Sequence, residues 1–122
     1  NDMLITVTVS NDIGLSTTAD TIVIIVDVPS DLVFYNGDID DAGPQTNPVS
    51  YDGSNAPGLT FTYGTDVRFS DAAVKPAFAD CDYIPPAGYD PAVRFICINP
   101  KGTLPAGDPE PSFYMQMRQR IR

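Results

Sequence analysis

Asn36, Asp38 and Asp40 stand at alternate positions in the stretch NGDIDDAGPQTN, residues 36–47, and Asp41 follows directly. Side-chain oxygens at alternate positions are what a calcium loop offers, because Ca²⁺ takes about six to eight hard oxygen ligands. The spacing shares the opening of an EF-hand loop. However, Asp41 occupies the place of that loop's glycine, and Asn47, at the twelfth position, is not an acid. The EF-hand is excluded. Two readings stay open: an irregular calcium site between loops, and acids that cap turns and remain solvated. No other cofactor is implied.

Other residues carry weaker chemical signals. Asp80 and Asp82, or Asp108 and Glu110, are paired carboxylates of the kind that do acid–base work on a sugar. In a chain this acidic they are also the expected surface background. Lys75 and Lys101 raise a different chemistry, the joining of a lysine amine to an asparagine with help from an acid, as in cross-linked surface-fibre domains. Lys101 follows Asn99 by two residues but lies in a Pro/Gly loop and reads as exposed, which disfavours that reaction. The chain has no histidine, so the usual general base, the Ser-His-Asp triad and histidine-based metal sites are excluded. The expectation is a protein that is not an enzyme.

The two cysteines, Cys81 and Cys97, bracket CDYIPPAGYDPAVRFIC. Their even number favours a disulfide, with two buried free thiols as the alternative. The turn-forming Pro85, Pro86 and Gly88, followed by the β-rich AVRFICI, predict an antiparallel hairpin with Cys81 opposite Cys97 and Ile84 opposite Arg94. A bridge there closes a ring of about 17 residues, worth roughly 3 kcal/mol by chain entropy. A disulfide on an acidic chain also predicts an extracellular or cell-surface location.

The elements that position these residues are short strands. The chain has 122 residues, enough for one domain spanning 1–122, and its 12 prolines and 9 glycines punctuate it at intervals suited to strands and turns. Residues 3–10 (MLITVTVS) alternate, with Met3, Ile5, Val7 and Val9 on one face. Residues 21–28 (TIVIIVDV) are apolar on both faces. Val23 and Ile25 therefore either pack under a loop or meet another subunit or domain. Further strands are expected at 32–35, around Val49 and Tyr51 and at 59–63, and 67–70 either continues the last of these or starts another. The last is expected at 112–122, with Phe113, Met115, Met117, Gln119 and Ile121 sharing a face. No stretch shows helical periodicity. Seven to nine short strands predict an all-β, immunoglobulin-like antiparallel sandwich with one disulfide. No tryptophan is present, which argues against an antibody-type domain. The first residues show no signal-peptide pattern, which reads as a mature or excised form.

Charge narrows the partners. The net charge is −9, from 16 acids and 7 bases, a field that repels nucleic acid and anionic lipid. No apolar run approaches the roughly 20 residues of a membrane-spanning helix. Arg118, Arg120 and Arg122 supply three of the seven bases, so residues 1–117 hold four bases against 16 acids, or −12. A basic final strand on an acidic body suits head-to-tail packing against the acids of a second copy. The intramolecular alternative is arginines laid over neighbouring acids or guarding a sheet edge.

Residues 5–11 (ITVTVSN), 28–34 (VPSDLVF), 102–107 (GTLPAG) and the closing strand 113–121 together resemble a known family. It is domain of unknown function eleven, a repeat domain of secreted and surface-anchored bacterial and archaeal proteins. GDIDDAGP and GYDPAVRFICINPKGT resemble its proteobacterial variety. The resemblance implies an immunoglobulin-like sandwich at the cell surface, no catalytic residues, and frequent occurrence as tandem repeats. The residues and the resemblance converge on one expectation. It is a non-enzymatic extracellular structural protein, a subunit or module of a fibre, filament or layer, self-associating into a homopolymer or packing on neighbouring surface domains. Val23, Ile25 and the three arginines would supply the contacts. The alternative is a calcium-assisted adhesive or carbohydrate-binding module that uses the 36–47 loop.

Overall fold

The computed structural model describes residues 2–12, 14–39 and 47–122. They form ten strands: β1 (Asp2–Ser10), β2 (Ile24–Asp27), β3 (Leu32–Asn36), β4 (Val49–Asn55), β5 (Leu59–Thr60), β6 (Val67–Ser70), β7 (Gly88–Asp90), β8 (Phe95–Ile98), β9 (Lys101–Gly102) and β10 (Ser112–Ile121). All pairings are antiparallel. The count exceeds the expected seven to nine because β7 and β9 are only three and two residues long, below what residue alternation can signal.

The ten-residue β10 is the hub of the larger sheet. One edge of β10 pairs with all of β1, from Asp2 opposite Arg120 to Ser10 opposite Ser112. Its other edge pairs with β4 and then β3, and β3 carries β7 outward. Alternation explains this role. Phe113, Met115, Met117 and Gln119 point inward and are buried, while Tyr114, Gln116, Arg118 and Arg120 face out. The smaller sheet is β2-β8-β6. The two sheets pack face to face: Phe34, Val49, Phe113, Met115 and Met117 meet Val67, Phe69, Ile96 and Ile98 in one core. The rings of Phe34 and Phe69 lie 5.2 Å apart across it. Each such side chain contributes about 1.5–3 kcal/mol on burial. Ile121, expected on the inward face, is 53% exposed. The ten-residue β10 outruns the four-residue strands opposite it.

Three expectations are corrected. The run at 59–63 shortens to β5, and the brief strand at 49–51 extends to Asn55. The crossing of β5 and β9 depends on a glycine. Gly102 has φ +95°, and a Cβ there would sit 2.2 Å from the Gly58 carbonyl oxygen. The largest correction concerns the cysteine hairpin. Cys81 and Cys97 are bonded, but they are not on paired strands. Cys97 in β8 stands opposite Ile25 and Arg68, whereas Cys81 follows a 3-10 turn, Phe78–Asp80. The second half of the supposed hairpin splits: Gly88–Asp90 joins the other sheet as β7, and only Phe95–Ile98 continues in β8. Pairing with β2 and β6 on its two sides leaves β8 no edge for a hairpin partner.

Candidate functional site

The disulfide builds a small second core. Phe95 and Cys97 point away from the sandwich interior, on the outer face of the smaller sheet. There they bury Cys81, with Ile25 and Phe78 packed against them. A single backbone bridge, Tyr83 N–H to Phe69 O at 3.0 Å, lays this covering segment along the edge of β6. The two candidate contact residues of the second apolar run thus part company. Ile25 packs against this cover, the loop alternative of the sequence, while Val23 precedes β2 and is 49% exposed.

The arginines lie on the outer face of the larger sheet, each with a partner in its own chain. Arg118 stacks over Tyr35 (5.4 Å to the ring centre) and Arg120 over Tyr89 (3.9 Å). The two tyrosine rings are themselves 4.9 Å apart, giving a four-membered ladder. The Tyr89 hydroxyl donates to Asp2, a bond that raises its pKa above the ordinary tyrosine value. Arg122 donates from Nε to Ser30 O (2.7 Å) and from Nη2 to Pro91 O (3.3 Å). Sequence reasoning expected carboxylates as arginine partners and missed Tyr35 and Tyr89. The signal available was their β-strand setting, but the pairing of β3 with β7 was not readable from it.

Among the four candidate calcium ligands, Asp40 and Asp41 lie outside the described residues. Asn36 Nδ2 donates to Pro85 O and Pro86 O, both at 3.0 Å, and Asp38 Oδ1 accepts from Asn47 N–H at 3.4 Å. Among the described residues no group of three His, Cys, Asp or Glu side chains converges as metal ligands would. Asp80, Asp82, Asp108 and Glu110 are all exposed.

Lys101 is not a free surface amine. Its ammonium sits among three oxygens: Asp66 Oδ1 at 3.0 Å, Asn99 O at 2.9 Å and Asn99 Oδ1 at 2.8 Å. Asp66 is 1% exposed and is held in turn by the Thr62 N–H and the Thr65 hydroxyl. Asn99 Nδ2 reaches Asp20 O and Ile22 O, fastening the segment before β2 to the end of β8. A lysine bonded this way is a charged tie between loops. An ammonium held among oxygens in this way is not a nucleophile. Asp66 was overlooked in the sequence because TDVRFS reads as the start of a strand.

Two surface features remain. A cavity of about 600 Å³ opens beside the cover, lined among others by Tyr63, Arg68, Asp82, Tyr83 and Ile84. On the opposite flank, β1 forms the margin of the larger sheet. Its outer edge has no strand partner among the described residues. Its core-facing Ile5, Val7 and Val9 are only partly buried, as are Ile22, Ile24 and Val26 in and before β2. Among the described residues no strand covers this flank, whereas the β6 flank carries the disulfide-held segment. Comparison of the chain with protein-family models, curated proteins and solved structures finds no match. Among the described residues no helix is long and apolar enough to cross a membrane.

Proposed function

We propose that this chain is a non-enzymatic structural protein of the extracellular surface, a subunit or module of a fibre, filament or layer that assembles through strand-mediated contacts. The observation that carries this reading is the β1 flank, where aliphatic residues packed against the core are only partly buried, beside a sheet edge that has no strand partner among the described residues. The disulfide supports an oxidising, extracellular setting. The clustered charges serve as ties: Lys101 is paired with a buried carboxylate, Arg118 and Arg120 are stacked on tyrosines, and Arg122 donates to backbone carbonyls. Electron microscopy of native material, with light scattering of the purified chain, tests the reading. Ordered polymers or concentration-dependent growth are expected. A compact monomer at every concentration, with no polymer in native material, would sink it.

A second reading is favoured by the cavity beside the cover. Its tyrosines, Arg68 and Asp82 offer ring faces and polar groups of the kind that hold a sugar, and would serve an adhesive module. Binding of soluble oligosaccharides that is lost in Tyr83→Ala and Arg68→Ala supports it, and no binding across a broad oligosaccharide panel removes it.

A further inference from the structure

The strands at the margins of the two sheets are not alike. β2 has four residues, ends on Asp27 and is followed by Pro29. β7 has three residues, between Pro86 and Pro91. β6 is overlaid by the disulfide-held segment through Tyr83. β4 carries Asp52 and Gly53 and an irregularity in its register with β10. Short length, charge, proline, bulges and coverage are the devices by which sheets keep their edges from pairing. β1 has none of them beyond a terminal acid. It is nine residues long, DMLITVTVS, without proline, glycine or lysine, and its one charge is Asp2.

We infer that the free edge of β1 pairs antiparallel with β1 of a second copy, about a two-fold axis at Thr6, so that the larger sheets of two molecules join into one. The sequence of β1 is close to a palindrome in character. With Thr6 opposite itself, Ile5 meets Val7 and Met3 meets Val9 on the core side. Leu4, 53% exposed in the single chain, meets Thr8 on the outer side. On the core side apolar residues cover apolar residues, and on the outer side Thr6 meets its own copy between two Leu4–Thr8 pairs. This register keeps every side chain on its own face, which a shift by one residue would not. Asp2 falls opposite Ser10, so the two acids stand at opposite ends, roughly 27 Å apart at 3.4 Å per residue and well beyond a Debye length in physiological salt. The paired edge gives each unmet backbone group a partner, at about 0.5–1.5 kcal/mol net per hydrogen bond. The contact is isologous and closes at two, making the dimer the unit from which a larger assembly would be built.

This inference rests on the reading of the chain as an assembling module, and the experiment separates their failures. Cys81 and Cys97 are bonded to each other, so Thr6→Cys introduces a lone thiol. Under mild oxidation of the folded protein, Thr6→Cys is expected to form covalent dimers at least about tenfold faster than Ser10→Cys, whose thiols lie at opposite ends of the pair. A mixture of Leu4→Cys and Thr8→Cys is expected to give the mixed dimer. Thr6→Lys, which sets two ammonium groups face to face on an exposed position, is expected to weaken association about tenfold, equivalent to ~1.4 kcal/mol. Because both bodies carry −9, added salt should strengthen this contact, whereas it would weaken one made by arginines on acids. If the protein assembles but Thr6→Cys couples no faster than Ser10→Cys, the β1 contact is overturned and the assembly reading stands. If no association occurs in any variant or salt, both fall.

Discussion

Replacing both cysteines, Cys81→Ala with Cys97→Ala, separates two accounts of the disulfide. If the bridge held a hairpin, its loss would disturb the register of β8. In the structure it holds a cover over the outer face of the smaller sheet, so its loss should act on the cover alone. The bridge spans a separation of 16 residues, worth roughly 3 kcal/mol by chain entropy. Without it the cover keeps the Tyr83–Phe69 backbone bond, the turn at Phe78–Asp80, and the stacking of Arg68 over Phe78 at 5.2 Å. These few contacts leave local opening easy. The sandwich core of Phe34, Phe69, Ile96, Ile98 and Met115 is untouched. A domain stable by about 5–15 kcal/mol survives the loss, with a melting temperature lower by roughly 10 °C. Hydrogen exchange locates the effect. The amides of Asp80, Cys81 (now Ala) and Tyr83 should lose protection, while those of Ile96 and Ile98 in β8 keep theirs relative to the rest of the core. If β8 and β6 open together with the cover, or if the cover stays as protected as before, the argument fails.

Three other outcomes follow from the geometry. Lys101→Met leaves the Asp66 carboxylate buried without its cation; the cost is about 2 kcal/mol, below the full value for a buried pair because the lysine side chain is 41% exposed, and urea unfolding that shifts by less than a few tenths would refute the tie. The pKa values of Tyr51 and Tyr63 are raised by burial first, and those of Tyr83, Tyr89 and Tyr114 first by hydrogen bonds to Asp90, Asp2 and Asp52. Raised folded values stabilise fully below the unfolded tyrosine value of about 10 and are lost as pH climbs through the folded ones, so near-ultraviolet titration should show phenolates forming later in the native protein than in urea. Coincident curves would contradict this. Asp52 is lowered by hydrogen bonds from Ser54 and then from the Tyr114 hydroxyl at 2.8 Å, so its stabilisation is present above the unfolded value and lost as pH falls through the folded one. Tyr114→Phe should move the Asp52 titration midpoint upward by NMR; an unmoved midpoint removes that bond from the account.

The alternating segments were legible and the coverings were not. β1 and β10 declare themselves because each shows one apolar face over nine or ten residues, and the inward set of β10 is the one read from the sequence as far as Gln119. The disulfide was legible as a pair, since an even count needs no geometry. Its place in the fold was not, because turn residues around Pro85 and Pro86 look the same whether they close a hairpin or carry the chain across to another sheet, as they do here on the way to β7. Val23 and Ile25 show the same limit. Their two-sided apolar pattern predicts a face under a loop or against a partner, but Ile25 alone is packed, against a segment some 50 residues downstream anchored through Phe78 and Cys81, while Val23 is exposed. Arg118 and Arg120 were singled out by charge, whereas their partners are aromatic rings on strands brought alongside by long-range pairing.

The two flanks of the sandwich bear on what β1 is for. On the β6 side the chain uses a disulfide, a 3-10 turn and an apolar residue from that turn to shield an outer face and an edge. On the β1 side, one lysine in place of Thr6 or one proline at the margin would have sufficed to discourage pairing. Neither is present, although prolines are frequent in the rest of the chain, 12 in 122 residues, and not one falls before Val28. The partly buried Ile5, Val7 and Val9 are β-branched and alternate strictly, the composition that pairs best on a pleated surface. An edge that, among the described residues, carries no guard beyond its terminal Asp2, beside other edges marked by short length, charge, proline, a bulge or a cover, is more economically read as an edge meant to be met.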